Sequence, residues 1–159
     1  MNPLELRGVT KHRDDFTLGP LDLVVPRGYV MGLIGANGAG KTTTIKTALG
    51  LVRPDAGSVR LIDRARVGVV HDAPAYVPDW TAAQIGRALA PFYPAWDADR
   101  YAGLLAWAGI EASKKVKELS RGMGMKLQLA VALGHGAELL ILDEPTSGLD
   151  PLARSELIE

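Results

Sequence analysis

The chain opens with short apolar runs cut by glycine and proline. Leu4-Glu5-Leu6 precedes Gly8, Phe16-Thr17-Leu18 precedes Gly19, and Leu21-Asp22-Leu23-Val24-Val25 precedes Pro26. Runs of this length and punctuation predict three short strands of a small antiparallel layer. Residues 29–34 (Tyr-Val-Met-Gly-Leu-Ile) are nearly all apolar, which suits a strand buried on both faces of a parallel sheet. A glycine-rich turn follows, and then a helix over 42–49 that Gly50 ends. Two further strands are expected at 58–62 and 67–70, with only Asp63-Arg64-Ala65-Arg66 between them. Four residues suffice for a hairpin, whereas a parallel crossover needs about a dozen. Residues 139–142 (Leu-Leu-Ile-Leu) read as a second buried strand.

Between about residues 80 and 120 the texture becomes rich in Ala, Trp and Tyr, and the spacing predicts a helical insert. Thr81-Ala82-Ala83-Gln84 has the capping-box pattern, in which the hydroxyl and the amide each satisfy an orphan backbone N–H. Pro91 ends that helix. Asp97 caps the next, with Tyr101, Leu104, Leu105 and Ala108 on one face and Gly109 at its end. Ser120 caps a third helix, whose stripe is Leu127, Ala130 and Val131 and which stops at Gly134. Lys114, Lys115 and Lys117 read as a solvated face. Phe92, Tyr93, Trp96 and Trp107 read as packing for the helical core or a partner surface, not as a base-stacking platform, and His71 and His135 as ordinary loop residues.

Composition narrows the chemistry. The 159 residues carry 18 basic and 18 acidic side chains, so no overall field holds nucleic acid or an anionic membrane, and any anion site must be built locally. No partner nucleic acid is expected. There are no cysteines, so disulfides, thiolate zinc sites and cysteine nucleophiles are excluded. The apolar stretches fall well short of the roughly 20 residues a bilayer span needs. A soluble chain without a leader is expected.

Gly35-Ala36-Asn37-Gly38-Ala39-Gly40-Lys41-Thr42 fits G-x-x-x-x-G-K-[ST] between an apolar strand and a helix start. Glycines let the loop curl so that successive N–H groups, Thr43 included, face phosphate oxygens. Lys41 reaches the β- and γ-phosphates, and Thr42 offers a hydroxyl to Mg2+. Asp143-Glu144 ends the strand at 139–142. Beside a phosphate loop, Asp143 suits Mg2+ and Glu144 suits a general base for the attacking water, its proton affinity raised by the phosphates.

With Leu119-Ser120-Arg121-Gly122 between these motifs and Pro145-Thr146-Ser147-Gly148-Leu149-Asp150 after them, the sequence resembles the nucleotide-binding subunits of ABC transporters along essentially its whole length. Residues 67–76, the stretch 92–97 and the Gly-Met-x-Met-Lys form at 122–126 are most similar to bacterial ABC-2-type exporter ATPases of the antibiotic and multidrug kind. The resemblance implies an α/β P-loop NTPase of the ABC ATPase type, with an N-terminal antiparallel β layer and an inserted helical subdomain. It would be one domain over 1–159: β layer and phosphate-loop core at 1–71, helical subdomain at 72–121, and signature helix, D-E strand and D-loop at 122–159. It implies MgATP bound at the seam of a head-to-tail homodimer or heterodimer, with Ser120 and Gly122 of one copy closing on the γ-phosphate held by the other. The pair would drive an ABC-2-type transmembrane permease from the cytoplasmic side of the cell membrane.

Departures from the family pattern shape the remaining expectations. Arg13 stands where the family has an aromatic that stacks on adenine, with His12 and Phe16 near it, and an arginine can also lie over a ring. Asp72 stands where the family has glutamine and is a further candidate at Mg2+. The histidine that ends the family's next strand has no counterpart before Glu159. The expectation is therefore a shortened ATPase that keeps its grip on the nucleotide but hydrolyses weakly. The alternative is a module that binds ATP and pairs without hydrolysis.

Overall fold

The computed structural model describes residues 1–13, 16–71 and 74–143. Its contacts divide the chain into two compact units, Met1–Arg64 and Ala65–Glu159. In the first, strands β1 (Leu4–Arg13), β2 (Phe16–Val25) and β3 (Ala56–Leu61) form an antiparallel sheet in the order β2-β1-β3. Two long strands thus replace the three short ones expected from the punctuation. Gly8 does not stop β1, because the ladder shifts register between Leu6 and Val9 and absorbs the irregularity as a bulge. Pro20 does not stop β2 because β2 is an edge strand in this sheet, where a missing N–H costs no ladder bond. Leu4, Leu6, Val9 and Leu18 are buried. Helix α1 (Lys41–Ala48) buries Thr44, Thr47 and Ala48.

The apolar run at 29–34 is the main correction to the sequence reading. It forms no strand, and Tyr29, Val30 and Ile34 are 72%, 102% and 95% exposed. Apolar composition supplies a reason to be buried, but a strand also needs a neighbour to take its N–H and C=O groups. Among the described residues neither sheet has a ladder with this run.

The second unit holds strands β4 (Val67–Val70) and β5 (Leu139–Leu142), paired parallel and in register from Val67↔Leu139 to Val70↔Leu142. The four residues before β4 are neither a hairpin turn nor a crossover. They leave one sheet and enter another through a 3-10 turn at Arg64–Arg66. β5 is not fully buried: Leu139 is covered, while Leu140 and Leu142 are 38% and 42% exposed.

Local side-chain chemistry sets the helices. In α2 (Ala82–Leu89) both capping-box bonds form, Gln84 N to Thr81 Oγ1 at 3.2 Å and Thr81 N to Gln84 Oε1 at 2.8 Å. Asp97 accepts from Arg100 N at 2.8 Å to start α3 (Ala98–Trp107), and Ser120 accepts from Met123 N at 3.2 Å to start α4 (Arg121–Gly134). Ala82, Ile85, Tyr101, Leu105, Leu127, Ala130 and Val131 close the core between the three. α4 also lies hard on β4: a Cβ on Gly68 would sit 2.5 Å from Ala132 Cβ, so glycine allows the approach.

The four aromatics divide. Trp96 packs on Tyr101 and Tyr93 stacks on His135 with ring centroids 4.1 Å apart, whereas Phe92 and Trp107 are exposed. His135 is not a loop residue in the ordinary sense. It follows α4 directly as its C-cap, is 3% exposed, and burial holds its pKa below the usual histidine value. Lys117 forms an ion pair with Asp79, the other two lysines being half-buried.

Candidate functional site

The phosphate-loop residues lie together ahead of α1. Gly35, Ala36, Asn37, Gly38 and Ala39 are exposed, and Ala39 N donates to Ala36 O at 3.1 Å to make the tight turn. Gly40 caps the helix with φ +91°, a left-handed conformation that favours glycine. A Cβ there would also lie 2.7 Å from Phe16 Cζ and 3.0 Å from Leu18 Cδ1. Lys41 Nζ folds back over the loop, donating to Gly35 O at 2.8 Å and Ala36 O at 3.0 Å. Its acceptors are neutral carbonyls, and phosphate oxygens would make stronger, charge-assisted bonds with the same ammonium. Thr42 is exposed and Thr43 half-buried in the first turn, where a helix leaves four N–H groups without intrahelical acceptors. The arrangement is suited to a polyphosphate: an ammonium, free amides and the positive end of the α1 dipole around one exposed loop.

Arg13 ends β1, exposed, opposite Phe16 in the ladder. Phe16, its partner in the ladder, lies against Gly40. Neighbouring Asp55 receives His12 N at 2.7 Å and Lys11 Nζ at 2.7 Å; these bonds, the backbone one first, hold its carboxyl below the usual aspartate value.

In the second unit Asp143 follows β5, half-buried, its N–H donating to Val70 O at 2.9 Å. This continues the β4–β5 ladder by one bond and fixes the backbone from which the carboxylate projects. Thr42 in the first unit and Asp143 in the second each carry an oxygen donor of the kind Mg2+ takes. Ser120 is exposed at the α4 N-terminus and Gly122 is half-buried in its first turn. Asp72, Glu144 and the D-loop stretch from Pro145 onward lie outside the described residues.

Two residues escaped the sequence reading. Phe16 reads from the sequence as the start of a strand beside Arg13, with no sign that its ring backs Gly40. Gln128 was passed over entirely. It is 3% exposed on α4, and its amide makes two bonds to one residue, accepting from His71 N at 3.0 Å and donating to His71 O at 2.9 Å. A polar residue on the same helix face as Gly124 and Ala132 was the available signal.

No helix among the described residues is long and apolar enough to cross a membrane. Residues 18–147 match the family model described as ABC transporter. The chain is 41% identical to the "Nod factor export ATP-binding protein I" of Cupriavidus pinatubonensis over 95% of its own length and 51% of that protein's, and 40% identical to the protein of the same name from Burkholderia orbicola over 96% and 55%. It thus spans about half the length of the curated relatives it matches. Among solved structures, one described as an ATP binding subunit of an ABC transporter superposes with a TM-score of 0.85 at 30% identity, covering 98% of this chain and 71% of that one. CbiO1 from Clostridium perfringens, part of an ABC transporter complex, gives 0.80 at 26% identity, covering 99% and 71%. The fold is that of an ABC ATPase domain of the P-loop NTPase class, and the chain belongs to the ABC transporter family as an ATP-binding domain.

Proposed function

We propose that the chain binds MgATP as the motor of an exporter whose membrane-spanning part is a separate subunit of the ABC-2 type, working at the cytoplasmic face of the cell membrane. The observation that carries the reading is the loop at 35–42: exposed, turned by a left-handed Gly40, and crossed by an ammonium within bonding distance of two loop carbonyls. In this reading Lys41 and the loop amides hold the phosphates, and Thr42 and Asp143 supply oxygens to Mg2+. Asp72 is a further candidate there. Arg13 lies towards the adenine, and Glu144 accepts the proton of the attacking water. Held by these residues, the ion would supply Lewis-acid neutralisation of phosphate charge. Export as the direction is supported by the names of the similar proteins.

Ser120 and Gly122 would act across a head-to-tail pair of ATP-binding subunits. Their place at the N-terminus of a 14-residue helix supports this, because the positive end of the helix dipole favours an anion brought by a partner. The test is titration calorimetry with MgATP. Lys41→Ala should abolish binding, while Glu144→Gln should bind normally, favour the paired state and release no phosphate. Unchanged affinity in Lys41→Ala would refute the reading.

A further inference from the structure

Gln128 is a buried amide with a partner that is easily overlooked. Its neighbours along the same face of α4 are apolar: Met125 and Leu129 pack on Val70, and Ala132 sits against Gly68. An apolar side chain would fill the same space without desolvating a polar group, which costs about 1–3 kcal/mol when its bonds are not remade. Here both are remade, and both go to the backbone of His71. The β4–β5 ladder ends one residue earlier, at the bond from Asp143 N to Val70 O. Gln128 therefore acts as a side-chain substitute for a further strand, gripping the chain where it leaves β4 on its way to Asp72.

Two candidate site groups meet at this grip. Ser120 lies eight residues back along α4, about 12 Å at the α-helical rise. Asp143 is bonded to the residue next to His71. A helix is stiff along its axis, so displacement of its N-terminus travels to Gln128, and from there to a strand end that holds the backbone of Asp143.

We propose that Gln128 is a positioning residue that couples the signature end of α4 to the strand ends that hold Asp143, so that engagement of Ser120 and Gly122 by a partner's nucleotide is registered at Asp143 of this copy. This rests on the MgATP-binding, pairing reading above.

The test compares wild type, Gln128→Met and Gln128→Glu for MgATP affinity by calorimetry, for ATP-driven pairing by sedimentation, and for amide exchange at His71. Gln128→Met keeps the packing and loses both bonds. It should bind MgATP within about twofold of wild type, expose the His71 amide, and pair about tenfold more weakly, as the loss of about 1.4 kcal/mol would give. Gln128→Glu is the rescue variant: a protonated carboxyl again offers one donor and one acceptor, so pairing should recover as the pH is lowered. Gln128→Met, with nothing to titrate at that position, is the control for the pH series. Pairing of Gln128→Met at wild-type strength would overturn the coupling. Should that variant fail to fold, pairing of Gln128→Glu at wild-type strength at every pH would overturn it. A wild type that binds no MgATP would instead overturn the underlying reading and the coupling with it.

Discussion

Gly40→Ala tests the loop geometry and its backing together. Gly40 has φ +91°, and placing an L-residue in a left-handed conformation costs roughly 1–2 kcal/mol. The new methyl would also meet Phe16 Cζ at 2.7 Å and Leu18 Cδ1 at 3.0 Å. Both are side-chain ends that can move, so the steric part belongs near the low end of overpacking costs, about 1 kcal/mol. The sum is about 2–3 kcal/mol. A double-mutant cycle separates the two parts. Phe16→Leu removes the ring tip, so the double variant should recover about 1 kcal/mol relative to additivity, while the backbone part remains. Urea unfolding of all four proteins, followed by far-UV circular dichroism, measures the cycle. If Gly40→Ala lies within about 0.5 kcal/mol of wild type, the left-handed cap is refuted, a change of that size being ordinary for an unremarkable surface site. If the four values simply add, the Phe16 contact is refuted.

Three further outcomes are expected. Thr81→Ala removes one arm of the capping box of α2 and should lower unfolding free energy by about 1 kcal/mol in the same assay. Tyr101→Phe removes the buried bond from the phenol to Ala82 O, 2.8 Å long, and should cost about 1 kcal/mol with no loss of helix signal. For His135 the folded pKa is depressed by burial, so below the ordinary value near 6.5 the unfolded state binds more protons and stability falls as pH falls. The urea midpoint should therefore drop between about pH 7 and 5, and His135→Phe, which keeps a ring against Tyr93, should flatten that slope. Asp55 and Asp79, whose pKa values are also lowered, lose their contribution only at more acidic pH, below their ordinary value of 3.8.

What the sequence revealed and what it hid divide along a physical line. Thr81, Asp97 and Ser120 were legible as caps because each bonds a backbone N–H three residues away, an interaction complete within its own segment. The loop at 35–42 was legible for the same reason: its turn, its left-handed glycine and its lysine contacts all fall within six residues. The run at 29–34 was misread because strand formation depends on a distant partner that composition does not specify. Gly8 and Gly19 do not stop their strands because register shifts in the β1–β2 ladder, a property of the assembled sheet, absorb them. Gln128 stayed hidden because its partner, His71, is 57 residues away, and a glutamine on a helix ordinarily faces water.

The central claim is that the loop amides around residues 35–43 cup a polyphosphate tail. The most direct measurement is the backbone amide NMR spectrum of the whole chain titrated with MgATP, with inorganic tripolyphosphate and with adenosine. The account expects the amides of Gly38, Gly40, Lys41 and Thr42 to shift with both phosphate ligands and to stay in place with adenosine alone. MgATP binding that leaves those amides unmoved, or no binding at saturating nucleotide, would contradict it.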